Sequence, residues 1–248
     1  MKTFSRTDTG RRRDMNQDYM YTSVTPVGNL PNLFILADGM GGHNAGDFAS
    51  RYTVEVIVDS VRNNSEHSPV AVIRAAIQQA NRAVMEKART DIDLEGMGTT
   101  VVVATIQGQE LCVANVGDSR LYLAGETFKQ ITKDHSYVQE MVRRGEISKE
   151  VARVHPDRNI ITRAVGGGQN IEVDFFEVGL REGDQILMCS DGLTDMLEDE
   201  EIFEIIKEKQ DMQQIMDELV ETANDYGGND NITIILTEPF SSGEVKIC

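Results

Sequence analysis

Five short segments place an acid where an apolar run begins or ends. Phe34-Ile-Leu-Ala-Asp38-Gly39 finishes such a run in an aspartate, then continues through Met40, Gly41 and Gly42 to His43. Gln185-Ile-Leu-Met-Cys-Ser-Asp191-Gly192 repeats the design. Gly117-Asp118-Ser-Arg120 follows the run 111–116, Asn229-Asp230-Asn231 precedes 232–236, and Asn16-Gln17-Asp18 opens another run at Tyr19. Acids in these places can point into one cleft while the strands that carry them stay buried. Two like charges about 4 Å apart repel by about 4 kcal/mol at an effective dielectric near 20. Such a cluster is tolerable if some members keep a proton or if divalent cations lie between them. Oxygen-only donors select hard ions, Mg²⁺ or Mn²⁺ rather than zinc. A lone Asp-Gly after a strand is usually only a turn, so the residues by themselves leave turn and metal site both open.

The elements that must position these acids are strands and paired helices. Short runs rich in β-branched residues and bounded by Gly, Asn or Asp predict strands over 18–24, 32–37, 99–106, 111–116, 121–124, 172–178, 185–189 and 232–236. Helical periodicity covers 45–62, 70–89, 137–144, 200–207 and 212–223, with Asp199 and Asp211 as expected N-caps of the last two. Tight turns at Gln107-Gly108-Gln109 and Gly125-Glu126 join neighbouring strands into antiparallel meanders. Paired helices over antiparallel sheets make an α+β fold rather than alternating βαβ units. No linker, repeat or low-complexity tract divides the chain, so one domain is expected over 1–240, with a loose tail over 241–248.

Composition narrows the function. The 248 residues carry a formal net charge of −17, which disfavours nucleic acid as a partner and also repels phosphorylated substrates unless the site reverses the sign locally. No apolar run is long enough to span a bilayer, and the basic cluster Arg11, Arg12, Arg13 is not followed by a signal-like apolar segment. Three scattered cysteines, Cys112, Cys189 and Cys248, fit a reducing compartment. The expectation is a cytoplasmic monomer without membrane insertion.

Taken together, Arg13-Asp-Met-Asn-Gln-Asp18, Asp38-Gly-Met-Gly-Gly-His43, Gly98-Thr-Thr100, Gly117-Asp-Ser-Arg120, Ile161-Thr-Arg-Ala-Val-Gly166, Ser190-Asp-Gly192 and Gly228-Asn-Asp-Asn231 resemble the motifs of the PP2C (PPM) phosphatases, in that family's order and across 6–236. The wording is similar to the compact bacterial branch, whose members oppose serine/threonine kinases of the eukaryotic type. The resemblance implies a four-layer α-β-β-α sandwich and hydrolysis of phosphoserine and phosphothreonine in proteins. It implies two Mn²⁺ or Mg²⁺ ions: Asp38 bridging them, the Gly39 carbonyl on one, Asp191 and Asp230 on the other, and Asp18 acting through metal-bound water. Asp118, with Asp191, matches the acid that helps hold a weaker third ion. Arg13 matches the arginine that grips the substrate phosphate, for which a planar fork is suited. Hydroxide bridging the ions would attack phosphorus directly, without a phosphoenzyme. Residues 132–165 match the family's flap beside the site.

One position departs from the eukaryotic pattern: Met40 stands where those relatives carry a histidine proposed to protonate the leaving group. His43 is the nearest substitute, as acid or as substrate contact. His67, His135 and His155 read as surface or loop residues, His155 the nearest to the site. Other phosphatase chemistries fit poorly. At the spacing where a cysteine-dependent enzyme needs arginine, Cys112 is followed by Asp118 and Cys189 by Asp195. The GxxxxGK[ST] loop is absent, and a mixed Asp/His centre needs several histidines near glycine-acid motifs, whereas of the four here only His43 has that setting. Asp225-Tyr-Gly-Gly-Asn-Asp230 lacks the alternating ligands of a calcium loop. A phosphatase for small phosphoesters and a degenerate, non-catalytic ion-binding domain survive as alternatives.

Overall fold

The computed structural model describes residues 1–42, 45–209 and 211–240. In chain order the elements are β1 (Lys2–Asp8), β2 (Asp18–Ser23), β3 (Leu33–Met40), α1 (Ala45–Arg62), α2 (Pro69–Thr90), β4 (Gly98–Thr99), β5 (Val101–Gln107), β6 (Glu110–Val116), β7 (Arg120–Ala124), β8 (Phe128–Gln130), α3 (Tyr137–Arg143), α4 (Lys149–Arg153), β9 (Asp174–Gly179), β10 (Gln185–Cys189), α5 (Asp191–Thr194), α6 (Asp199–Glu208), α7 (Met212–Asp225) and β11 (Ile232–Glu238).

One sheet runs β1-β11-β10-β7-β8 and the other β2-β3-β5-β6-β9, with β4 added to β3. Every pairing is antiparallel. The strand period of two sorts each central strand onto two apolar faces. Along β3, Phe34 and Leu36 enter the core between the sheets, with Val102, Val113, Leu121, Ile186, Met188 and Ile235. The alternate residues Leu33, Ile35 and Ala37 face α1 and α2, against Ile57, Val61, Ile73 and Ile77. In the other sheet Leu187, Cys189, Ile232, Ile234 and Leu236 face α6 and α7, against Ile202, Ile215 and Leu219. Three apolar layers between four structural layers make the α-β-β-α sandwich.

The expected strands and long helices are present, with several corrections. β1 and β8 did not register in the sequence pattern, nor did the short helices α4 and α5. The N-cap of α6 is Glu198, whose capping box with Glu201 displaces the expected Asp199 into the first turn. Asp211 caps α7 as expected, accepting from the amides of Gln213 and Gln214. Among the described residues no helix is long and apolar enough to cross a membrane. His43 and the tail 241–248 lie outside the described residues.

Candidate active site

The acids gather where neighbouring ends of the two sheets meet. Asp18 opens β2 and is paired in register with Asp38 near the end of β3, so two carboxylates face each other across adjacent strands. Directly opposed like charges destabilise a sheet, and here Asp18 is 6% exposed. From the other sheet, Asp191 leaves the end of β10 as the first residue of α5, and Asp230 immediately precedes β11. Asp118 lies in the turn between β6 and β7.

Two glycines allow this approach. A Cβ on Gly39 would lie 2.0 Å from the Gly46 carbonyl oxygen, and one on Gly192 would lie 2.0 Å from that of Asn231. The glycine after each aspartate therefore lets a neighbouring main chain come into contact.

Hydrogen bonds fix the acids' backbones. The Asp38 amide donates to Thr100 Oγ1 at 3.0 Å, Asp38 O accepts from the Thr100 amide at 2.8 Å and from Thr99 Oγ1 at 2.7 Å. Thr100 Oγ1 also meets Ser119 Oγ at 2.8 Å, tying the Asp38 strand to the Asp118 turn. Ser190 Oγ donates to Asp18 Oδ2 at 2.8 Å and accepts from the Thr233 amide at 2.9 Å, linking the sheets. Asn231 clamps the loop carrying Arg13: its Nδ2 donates to Thr9 O at 2.9 Å and Met15 O at 3.0 Å, and its Oδ1 accepts from the Gln17 amide at 2.8 Å. Thr100, Ser190 and Asn231 sit inside the quoted motifs, but their structural roles have no signal in spacing, because their partners are distant in sequence.

Electrostatics show the strain of this arrangement. Burial, with the charge of Asp230 adding to it and the hydrogen bonds around the carboxylate opposing it, pushes Asp18 up to about 7, and burial followed by Asp134 pushes Asp118 up to about 7. Asp38 and Asp191 are raised well above the carboxylate range, first by burial and then by their fellow aspartates. Both keep some contact with solvent at the cleft, although protein atoms surround them. Arg13, expected to meet phosphate, pairs with Asp230 at the edge of the acid cluster, Nη2 to Oδ2 at 2.7 Å, and stays half-exposed. That bond and the charges of Asp230, Asp191 and Asp38 hold its guanidinium charged.

The donor set fits hard divalent ions. Asp18 Oδ1 and Asp191 Oδ1 are buried without a hydrogen-bond partner, which is costly for a carboxylate oxygen unless a cation takes it. As placed, no three of the described His, Cys, Asp or Glu side chains close around a single point. Asp38, Asp191, Asp230 and the Gly39 carbonyl, with Asp18 beside them, are the groups that would hold such ions.

Asp118 and Asp191 also line a cavity of about 540 Å³ whose far wall is the flap, including Arg153 and Arg158. Arg153 reaches Thr194 O at 2.9 Å and Glu198 at 2.7 Å, and Arg158 reaches Asp195 at 3.3 Å. The flap is thus fastened to the helix that begins with Asp191. Of the histidines expected outside the structure's interior, His67 is exposed and His155 accepts from the Asp157 amide. His135 lies in a loop, as expected, but away from the surface: it is 7% exposed and bonded to Gly117, next to Asp118.

A family model described as protein phosphatase 2C matches residues 8–237. The chain belongs to that family. It is 42% identical over 238 residues to the serine/threonine phosphatase stp of Listeria monocytogenes, covering 94% of each chain. It is 37% identical over 239 residues to the protein phosphatase PhpP of Streptococcus pneumoniae, covering 93% of this chain and 94% of that one. The solved catalytic domain of the serine/threonine protein phosphatase PstP, in complex with two manganese ions, superposes with a TM-score of 0.83 at 34% identity, over 95% of this chain and 96% of that one. The enzyme is a metal-dependent serine/threonine protein phosphatase.

Proposed function

We propose that Asp38, Asp191 and Asp230, with the Gly39 carbonyl and Asp18 nearby, hold two Mn²⁺ or Mg²⁺ ions. Asp118 with Asp191 holds a third more weakly. The observation that carries this reading is the pair of buried, unpartnered carboxylate oxygens, Asp18 Oδ1 and Asp191 Oδ1, in a site whose strands oppose Asp18 to Asp38. The manganese in the PstP structure supports it.

When bound, the ions supply a water of lowered pKa and positive charge against the phosphoryl oxygens. The chain's own groups do the rest. Arg13 exchanges Asp230 for two oxygens of the substrate phosphate, to which its fork is matched. Asp18 Oδ1 remains an acceptor that orients water in the cleft. Met40 has no proton to give the departing serine or threonine oxygen, so His43 or water supplies it. Attack is direct, without a phosphoenzyme. The hydroxyls of Thr99, Thr100, Ser119 and Ser190 are buried and committed to hydrogen bonds, and burial raises the Cys189 thiol far above its ordinary range.

The substrates on this reading are cytoplasmic phosphoproteins, including those marked by a serine/threonine kinase of the same cell, and the working unit is a monomeric domain of residues 1–240. The test is phosphate release from phosphothreonine peptides with Mn²⁺, with chelator, and beside a phosphotyrosine peptide. Manganese-dependent release favouring phosphothreonine is expected. Near-normal turnover by folded Asp38→Asn or Asp191→Asn would eliminate this metal arrangement.

A further inference from the structure

His135 is buried, titratable and unused by the chemistry above. It holds both polar ends of one residue: the Gly117 amide donates to His135 Nδ1 at 3.1 Å, and the His135 amide donates to Gly117 O at 2.9 Å. Asn115 Nδ2 adds a bond to the same oxygen at 3.2 Å. Because Nδ1 accepts, the ring is the neutral tautomer with its proton on Nε2. That side faces Asp174 Oδ2 at 3.3 Å, while Arg163 approaches Nε2 at 3.2 Å and pairs with Asp174 at 2.9 Å. Burial lowers the imidazole pKa, consistent with the neutral form.

The same residue closes the base of the flap. His135 O accepts from the Thr162 amide at 2.7 Å and the Tyr137 amide donates to Ile160 O at 2.8 Å, on either side of the bridge between Ser136 and Ile161. The two strands that enter and leave the flap are zipped together here, and His135 joins that zipper to the turn bearing Asp118.

We propose that His135 is a positioning residue that fixes the Asp118 turn to the base of the flap and so sets how tightly the last ion is held. The proposal rests on the reading of Asp118 as a ligand of the weakest ion. A group that orients a ligand without touching the metal changes affinity by about 10–100-fold when removed, and His135 acts in this way through the Gly117 peptide.

The experiment is calorimetric titration of metal-free enzyme with MnCl₂, accompanied by hydrogen exchange at the Gly117 amide and melting curves. An asparagine at 135 can place its oxygen near the position of Nδ1, whereas glutamine carries its amide farther out. His135→Asn is therefore expected to keep Gly117 protected and the last ion within about threefold of its parental affinity. His135→Gln is expected to expose Gly117 to exchange and weaken the last ion by about tenfold or more, leaving the tighter ions unchanged. The two variants are similar in size and polarity, so a general loss of packing would affect both. Parental affinity in folded His135→Gln overturns the proposal, as does equal weakening in both variants. Asp118→Asn separates the underlying reading: if it retains every ion, the assignment of Asp118 fails and the proposal falls with it. If it loses the last ion while His135→Gln does not, His135 alone was misjudged.

Discussion

Replacing Asp38 by asparagine should stabilise the metal-free enzyme and destabilise the metal-loaded one. Asp38 and Asp18 face each other in register, at the cross-strand separation of about 5 Å. Two charges at that distance repel by about 3 kcal/mol at an effective dielectric near 20. If one carboxyl instead keeps its proton at pH 8, the cost is at least as large, because a carboxyl of unfolded pKa near 4 resists protonation there by about 1.4 kcal/mol per pH unit. Allowing about 1 kcal/mol for lost hydrogen bonding, Asp38→Asn gains about 2 kcal/mol without metal, or about 4–8 °C in melting temperature. With Mn²⁺ at about a hundred times its dissociation constant, the parent gains about 2.7 kcal/mol from binding, and the variant gains little. Melting curves at pH 8, in chelator and in Mn²⁺, should therefore cross. A variant less stable than the parent in chelator, or equally stabilised by Mn²⁺, would refute the idea that repulsion between these carboxylates is relieved by ions.

Other outcomes follow from the same geometry. Asp18 and Asp118 are raised to about 7, so the metal-free fold binds more protons than the unfolded chain and loses stability as pH rises from about 4 to 7. Ions must displace those protons, so Mn²⁺ affinity should rise from pH 5.5 to 7.5, with proton release visible as a calorimetric heat that depends on the buffer; affinity independent of pH would contradict it. Arg13→Ala should raise KM for a phosphopeptide by about tenfold or more, and Arg13→Lys should recover part of this, since lysine restores charge but not the fork; steady-state kinetics decides. Asn231→Ala, which leaves the part-buried carbonyls of Thr9 and Met15 short of a donor, should lose about 1–2 kcal/mol in urea unfolding and loosen the Arg13 loop, raising KM.

The fold and the acids were legible for one reason: each acid adjoins an apolar run long enough to read as a strand, and helix 45–62 is periodic along its whole length. What escaped lacked that local signature. β1, Lys-Thr-Phe-Ser-Arg-Thr-Asp, has one large apolar residue and owes its order to seven paired positions with β11. α5 is a single turn whose Asp-Gly looks like any loop. His135 sits in a polar stretch, and its burial comes from Gly117, Arg163 and Asp174 packed around it. Ser190 is 172 positions away in sequence from the aspartate it supports, beyond the reach of spacing arguments. The N-cap of α6 moved by one residue because Glu198 and Glu201 satisfy each other's amides.

The acids belong to different sheets: Asp18 and Asp38 to one, Asp191 and Asp230 to the other. On the proposed assignment, a half-assembled chain would own only part of the receptor for a divalent cation, and neither half would have a reason to capture it. Cation uptake would then report that the two halves have mated. A nascent or heat-damaged molecule whose layers had slid apart would lose its ions before losing most of its secondary structure, and would be silent as an enzyme while still resembling one spectroscopically.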